Sequence, residues 1–237
     1  MREEAVSLLF PRRCPVCGEI VMPKGELICP GCRKELSFVQ GPVCLRCGKE
    51  LVEKDGEYCL DCRRHQRTTE FGGALLNYNE VSARSMAQIK YKNRREYLDF
   101  YSEEMVRALG GKIKAMRADC LVPVPVHPAR KRERGYNQAE ELAVRLGRRL
   151  SLPVYPKGLA RRKKTAPQKE LTPGERLKNL EKAFTAEASA LPPRSEGVIL
   201  IDDIYTTGST IEACARALKA AGVKRVYFLT VLIGGDR

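Results

Sequence analysis

The sequence predicts an α/β protein: a parallel sheet flanked by helices, preceded by a small cysteine-organised N-terminal module. Three observations predict it. Val198-Ile199-Leu200-Ile201 and residues 225–233 are apolar runs without polar alternation, as in strands buried on both faces of a parallel sheet. Between the apolar runs lie segments of helical period, the alternation that builds such a sheet. Four Cys-x-x-Cys pairs crowd into residues 14–62, the spacing of metal half-sites.

The 237 residues suffice for one sizeable domain and a smaller one, which we place at 1–68 and 69–237. The formal net charge of +14 points to polyanionic partners. It is a local feature: residues 1–70 hold 12 basic and 11 acidic residues, whereas 112–164 hold 15 and 4. No run approaches the roughly 20 apolar residues of a membrane helix. Glu3 and Glu4 precede the short apolar opening, the reverse of a secretory leader. A cytoplasmic location is therefore expected, where cysteines serve as metal ligands more often than as disulfides.

Cys14/Cys17, Cys29/Cys32, Cys44/Cys47 and Cys59/Cys62 repeat with a period of 30, and Gly18 matches Gly48 as Arg33 matches Arg63. Internal duplication accounts for this. Two thiolates three residues apart make half of a tetrahedral site, so the pairs make two closed, structural zinc sites. We assign Cys14, Cys17, Cys29 and Cys32 to one ion and Cys44, Cys47, Cys59 and Cys62 to the other; a cross-braced pairing satisfies the same spacing. With few large apolar residues, the segment needs metal to fold. It resembles a double zinc ribbon.

Residues 71–78 read as a strand, 81–92 as a helix and 94–116 as a second helix with Tyr97, Phe100, Tyr101, Met105 and Leu109 near one face. Lys90, Lys92, Arg94 and Arg95 face either an anion or solvent. Residues 120–125 form the next strand, which its prolines make short or place at an edge. A basic loop from Arg130 to Gln138 follows, with His127 in a structural role, and Asn137 with Glu140 opens a helix to Leu150. Such a loop at a helix start is an anion site. Residues 152–155 suggest a short strand, and 159–184 a polar, irregular stretch. Cys120 and Cys214 read as small core residues.

The strand at 198–201 ends on Asp202 and Asp203, expected at its solvent edge because buried carboxylates need partners. Thr206-Thr207-Gly208-Ser209-Thr210 then leads into a helix with Ile211, Cys214, Ala215 and Leu218 on one stripe. Ligands of open parallel sheets bind at this edge, and the turn with the helix's positive end is a phosphate seat. The plainer reading is a strand-turn-helix closed by a Ser209/Glu212 capping box. A Walker loop is excluded, since the turn has no Lys.

This thirteen-residue pattern, from Val198 to Thr210, resembles the phosphoribosyl-pyrophosphate motif of type I phosphoribosyltransferases. The resemblance implies that Asp202 and Asp203 hold ribose hydroxyls, as substrate-binding and catalytic groups, while Thr206, Thr207, Gly208, Ser209 and Thr210 cradle the 5-phosphate. Magnesium accompanies the diphosphate. Pro123-Val124-Pro125-Val126-His127-Pro128 and Arg134-Gly135-Tyr136-Asn137-Gln138, with the N-terminal cysteines, narrow the resemblance to the ComF family of competence-associated proteins, over nearly the whole chain. Its recurring Arg, Thr, Gln, Arg, Asn and Phe match Arg161, Thr165, Gln168, Arg176, Asn179 and Phe184. Lys131, Arg134, Asn137, Arg161, Thr165 and Gln168 are thereby implied at the pyrophosphate and its mobile loop.

Two functions follow from the resemblance. One is a phosphoribosyl-pyrophosphate-binding protein of DNA uptake, with single-stranded DNA and a helicase-like uptake protein as partners. The other is an active phosphoribosyltransferase of nucleotide metabolism or salvage. In 6-oxopurine members an acid stands three residues past the second motif carboxylate. Here that residue is Thr206, which disfavours a purine acceptor. Few aromatics interleave with the basic residues, so no stacking platform for a nucleic acid is visible in the sequence.

Overall fold

A computed structural model describes residues 11–53, 56–161, 183–192 and 195–234. Strands β1 (Gly72–Asn77), β2 (Cys120–Pro123), β5 (Gly197–Tyr205) and β6 (Arg225–Ile233) form one sheet in the order β1-β6-β5-β2, every pairing parallel. Strands β3 (Leu159–Arg161) and β4 (Phe184–Ala186) pair antiparallel beside it, followed by a 3-10 turn at Ala188–Ala190. The helices are α1 (Pro30–Lys34), α2 (Leu60–Arg64), α3 (Glu80–Lys92), α4 (Tyr97–Met116), α5 (Pro128–Arg134), α6 (Gln138–Leu150) and α7 (Ser209–Ala220).

The two-residue period of the central strands divides their side chains between two faces. Ile199, Ile201, Tyr227, Leu229 and Val231 join Leu98, Tyr101 and Met105 of α4 and Leu142 and Leu146 of α6. Val198, Leu200, Val226 and Phe228 turn the other way, to Ile211, Cys214 and Leu218 of α7 and to Leu159 and Phe184 of the hairpin. Both faces are covered, which is why these strands carry no polar alternation. Cys120 and Cys214 are fully buried.

The cysteine repeats grip the sheet at β1. The bridge Phe38↔Leu76 is antiparallel, Val39 N–H donates to the Leu75 carbonyl at 3.0 Å, and Asn77 N–H donates to the Ser37 carbonyl at 2.7 Å. Farther along, Gly72 N–H reaches the Arg46 carbonyl at 2.7 Å. Gly48 sits so close that a Cβ would stand 2.9 Å from the Gly73 Cα. Val21, Ile28 and Leu36 of the first repeat enter the α4 side of the core, while the cysteines of the second enter the α7 side. Arg33 ties the first repeat to Glu104 at 2.9 Å, and Arg12 ties it to Asp99 at 2.9 Å.

Three local expectations are corrected. β5 continues past the acids to Tyr205, because Asp202, Ile204 and Tyr205 still pair with β6. The segment expected as a basic loop folds through Arg134 as helix α5, since His127 Nδ1 caps Ala129 N–H and Pro128 supplies a first-turn φ. Residues 152–155 contribute only the bridge Leu121↔Val154, which covers the edge of the short strand β2.

Candidate functional site

Asp202 and Asp203 sit near the carboxyl end of β5, but not equally at a solvent edge. Asp202 is partly exposed and accepts the Asp203 N–H at 2.8 Å. Asp203 is only 5% exposed. Its Oδ2 pairs with Lys90 Nζ from the last turn of α3, and its Oδ1 accepts from Gln138 Nε2 at 3.0 Å. The buried acid thus has the partners that burial demands. Burial alone would raise the Asp203 carboxyl, but Lys90 and the Gln138 hydrogen bond hold it below the usual range. Burial and the Asp203 charge push Asp202 well above that range.

Every residue of Arg134-Gly135-Tyr136-Asn137-Gln138 has a part in this arrangement. Arg134 donates to Gln138 Oε1 at 3.0 Å and lies over the Tyr91 ring at 4.9 Å. Gly135 ends α5 in the left-handed region at φ 82°. The Tyr136 hydroxyl donates to the Ile89 carbonyl, fixing the end of α3 that carries Lys90. Asn137 caps α6 through Ala139 N–H at 3.1 Å and donates to the Val124 carbonyl at 3.0 Å. Asn137, expected at the pyrophosphate, is therefore committed to backbone. Glu140 takes no part in that cap and pairs with Lys131 at 3.3 Å.

Beyond Tyr205 the turn carries Thr206 and Thr207 exposed, Gly208 at φ 75° as the N-cap of α7, and Ser209 and Thr210 in the first turn. Thr207 and Ser209 hydroxyls lie 2.9 Å apart. First-turn amides of a helix have no acceptor within it, so the turn offers donors to an anion. A Cβ on Gly208 would stand 2.3 Å from the Tyr205 hydroxyl, whose ring stacks on Phe228 at 4.9 Å. The capping-box reading is overturned: α7 shows no side-chain cap bond. Glu212 is buried and accepts from Thr68 N–H at 2.8 Å, from the Thr68 hydroxyl, and from Arg216 Nε at 2.9 Å.

That contact joins the loop to the second cysteine repeat. Arg67, the neighbour of Thr68, pairs with Asp61 at 2.6 Å, between Cys59 and Cys62. The four thiols of Cys14, Cys17, Cys29 and Cys32 lie within 4.8 Å of one another, as do those of Cys44, Cys47, Cys59 and Cys62. The sequential pairing holds, and closed four-thiolate sets fit structural zinc. Burial would raise the Cys14 thiol, but amides of Cys29, Cys17 and Val16, with the Cys17 side chain, bring it down to about 7.

Arg161 lies over the Phe184 ring at 5.2 Å, within the β3–β4 hairpin. Thr165, Gln168, Arg176 and Asn179 lie outside the described residues. A cavity of about 380 Å³ opens beside the site, lined by Pro125, Lys131, Asn137, Pro156, Leu159 and Glu187. Lys90 and Gln138 as partners of Asp203 escape sequence reasoning. The adjacency of Gln138 to the capping Asn137 was the available signal.

Residues 5–63 match the double zinc ribbon domain family and residues 134–237 the phosphoribosyl transferase domain family. Fold and site thus define a phosphoribosyltransferase-fold protein carrying a double zinc ribbon. The chain is 35% identical over 108 residues to Competence protein F of Haemophilus influenzae, covering 46% of this chain and 47% of that protein. It is 29% identical over 151 residues to Competence protein ComFC of Bacillus subtilis, covering 63% and 58%. With DNA utilization protein YhgH of Escherichia coli it shares 34% over 108 residues, covering 46% of each. The matches thus span about half the length of these relatives. Both domains in this order, with these relatives, support the ComF family for this chain. No helix of the described residues is long and apolar enough to cross a membrane.

Proposed function

We propose that the chain binds magnesium-phosphoribosyl pyrophosphate at the carboxyl end of β5 and handles single-stranded DNA during DNA uptake, in the cytoplasm, alongside a helicase-like uptake protein. The observation that carries the reading is the pair Asp202 and Asp203 held above the open turn that starts α7. The acids suit ribose hydroxyls, and the amides from Thr206 to Thr210 suit the 5-phosphate. Lys131, Arg134, Arg161, Thr165 and Gln168 serve the diphosphate side, Arg134 through its hold on Gln138. Magnesium, when bound, neutralises the diphosphate. The relatives' names, with 15 basic against 4 acidic residues in 112–164, support the DNA part.

The cavity beside the site supports a second reading, an active phosphoribosyltransferase of nucleotide metabolism or salvage. Thr206 stands where 6-oxopurine enzymes keep an acid, so a different acceptor is expected. Calorimetric titration with phosphoribosyl pyrophosphate, with and without magnesium, tests the shared step. Pyrophosphate release across candidate acceptors then separates the readings. Absence of binding sinks both.

A further inference from the structure

The end of α3 and helix α5 meet in a way the sequence does not announce. Tyr91, in the last turn of α3, is 62% exposed. It is not a loose side chain. Arg134 lies over the ring at 4.9 Å and is itself held by Gln138 at 3.0 Å. The helix end beneath it is fixed by the Tyr136 hydroxyl on the Ile89 carbonyl and by Asn93, whose left-handed turn returns its N–H to the Gln88 carbonyl. Arg95 in turn lies over Tyr136 at 4.9 Å, so two Tyr–Arg stacks lock the junction.

The helices that meet here, and the turn after α3, carry further cations. Lys131 pairs with Glu140, Arg95 with Glu141 and Arg94 with Glu96. Lys92, Arg130 and Arg132 are exposed and have no acidic partner among the described residues. A fixed, exposed aromatic ring, on a pair of helices that also carry three uncompensated cations, suits a polyanion that also carries flat apolar faces. A single strand of nucleic acid offers both, whereas a duplex keeps its base faces stacked inside.

We propose that Tyr91, with Arg134 behind it, is a base-stacking platform for single-stranded DNA, and that Lys92, Arg130 and Arg132 of the same two helices meet the strand's phosphates. This rests on the DNA-handling reading above and gives it a location. The sequence hides the platform because Tyr91 and Arg134 lie on different helices.

The test is fluorescence anisotropy of labelled oligo-dT with the full chain over a range of salt. Tyr91→Ala is expected to weaken binding about tenfold while leaving the salt slope in place. Tyr91→Phe retains the parent affinity, because a π face suffices. Lys92→Gln combined with Arg132→Gln lowers the log–log salt slope by about 1.4, two contacts at about 0.7 each on a single strand. Tyr91→Ala also removes the Arg134 stack, so its melting temperature is measured beside that of Tyr91→Phe, which keeps the stack. A duplex of the same length binds without sensitivity to Tyr91→Ala. If the parent binds oligo-dT and both the Tyr91→Ala and the Lys92/Arg132 variants bind equally well, the strand lies elsewhere and the platform alone fails. If the parent binds no oligo-dT even at low salt, the DNA reading fails and the platform with it.

Discussion

Lys90, in the last turn of α3, forms an ion pair with the buried Asp203 of β5. The pair explains how a parallel strand carries an ionised carboxylate inside its own length. It also divides the two motif acids: Asp203 has a resident cation, and Asp202 is left to respond to what binds.

Breaking the pair from one side is therefore costly. Lys90→Met strands a buried carboxylate and is expected to lower stability by about 3 kcal/mol. Lys90→Met with Asp203→Asn recovers most of that loss, as equilibrium denaturation can measure. In the parent the folded-state pKa of Asp203 is depressed. The stability it contributes is present above its unfolded value of about 3.9 and disappears as pH falls through the lower folded value. In Lys90→Met the sign reverses, and the deficit grows as pH rises.

Asp202 behaves oppositely. Burial and the neighbouring Asp203 raise its carboxyl, so a ligand that recruits the ionised form must expel a proton. Affinity for magnesium-phosphoribosyl pyrophosphate is expected to rise with pH, with proton release visible by calorimetry in buffers of differing ionisation heat. The unliganded fold loses stability as pH climbs from about 3.9 toward the raised value. Asp202→Asn removes the proton release and weakens binding at least about tenfold. Binding that is independent of pH and buffer would exclude Asp202 from the ligand.

Gly208 tests the turn. Its φ of 75° strains any side chain, and a Cβ would overlap the Tyr205 hydroxyl. Gly208→Ala is expected to abolish sugar-phosphate binding and cost about 2 kcal/mol, a fall of about 4–8 °C in melting temperature for a domain of this size. Tyr205→Phe does not restore it, because the ring carbon would still lie 2.6 Å from the new Cβ.

Metal analysis of reduced protein should return two zinc ions per chain. The two sites are not equivalent in reach. Among the described residues only the second connects to the helix that follows the turn at 206–210, through Arg67 on Asp61 and Thr68 on Glu212. Cys44→Ser with Cys47→Ser is expected to lower both melting temperature and sugar-phosphate affinity. Cys14→Ser with Cys17→Ser lowers melting temperature alone. Equal loss of affinity in both would show that the Thr68–Glu212 contact does not transmit the effect.

Much of this is legible in the residues. Runs buried on both faces announce β5 and β6, and the Cys spacing announces the two metal sites, because each signal is local and periodic. The Lys90–Asp203 pair is not local. Its partners stand on separate elements, and a Lys in the last turn of a helix reads equally as solvated. Glu212 misleads for a related reason: its position fits a capping box, yet Thr68, far away in sequence, offers two donors and takes the carboxylate. The run from Arg130 to Gln138 reads as a loop because its charge masks a short helix started by His127 and Pro128. The backbone bonds of Asn137 depend on where the strand before it ends, which no spacing rule supplies.

The attachment of the cysteine repeats along β1 has a consequence for how the protein matures. An edge strand with free N–H and C=O groups is a template for pairing with other chains. Here residues 37–39 and Arg46 occupy those groups, and residues 37–39 lie between the two zinc sites. A newly made chain in a zinc-starved cell would hold a finished sheet with one raw seam. Such a chain is expected to pair with other chains along that seam and to be cut there, so that zinc loading would decide how much of it persists.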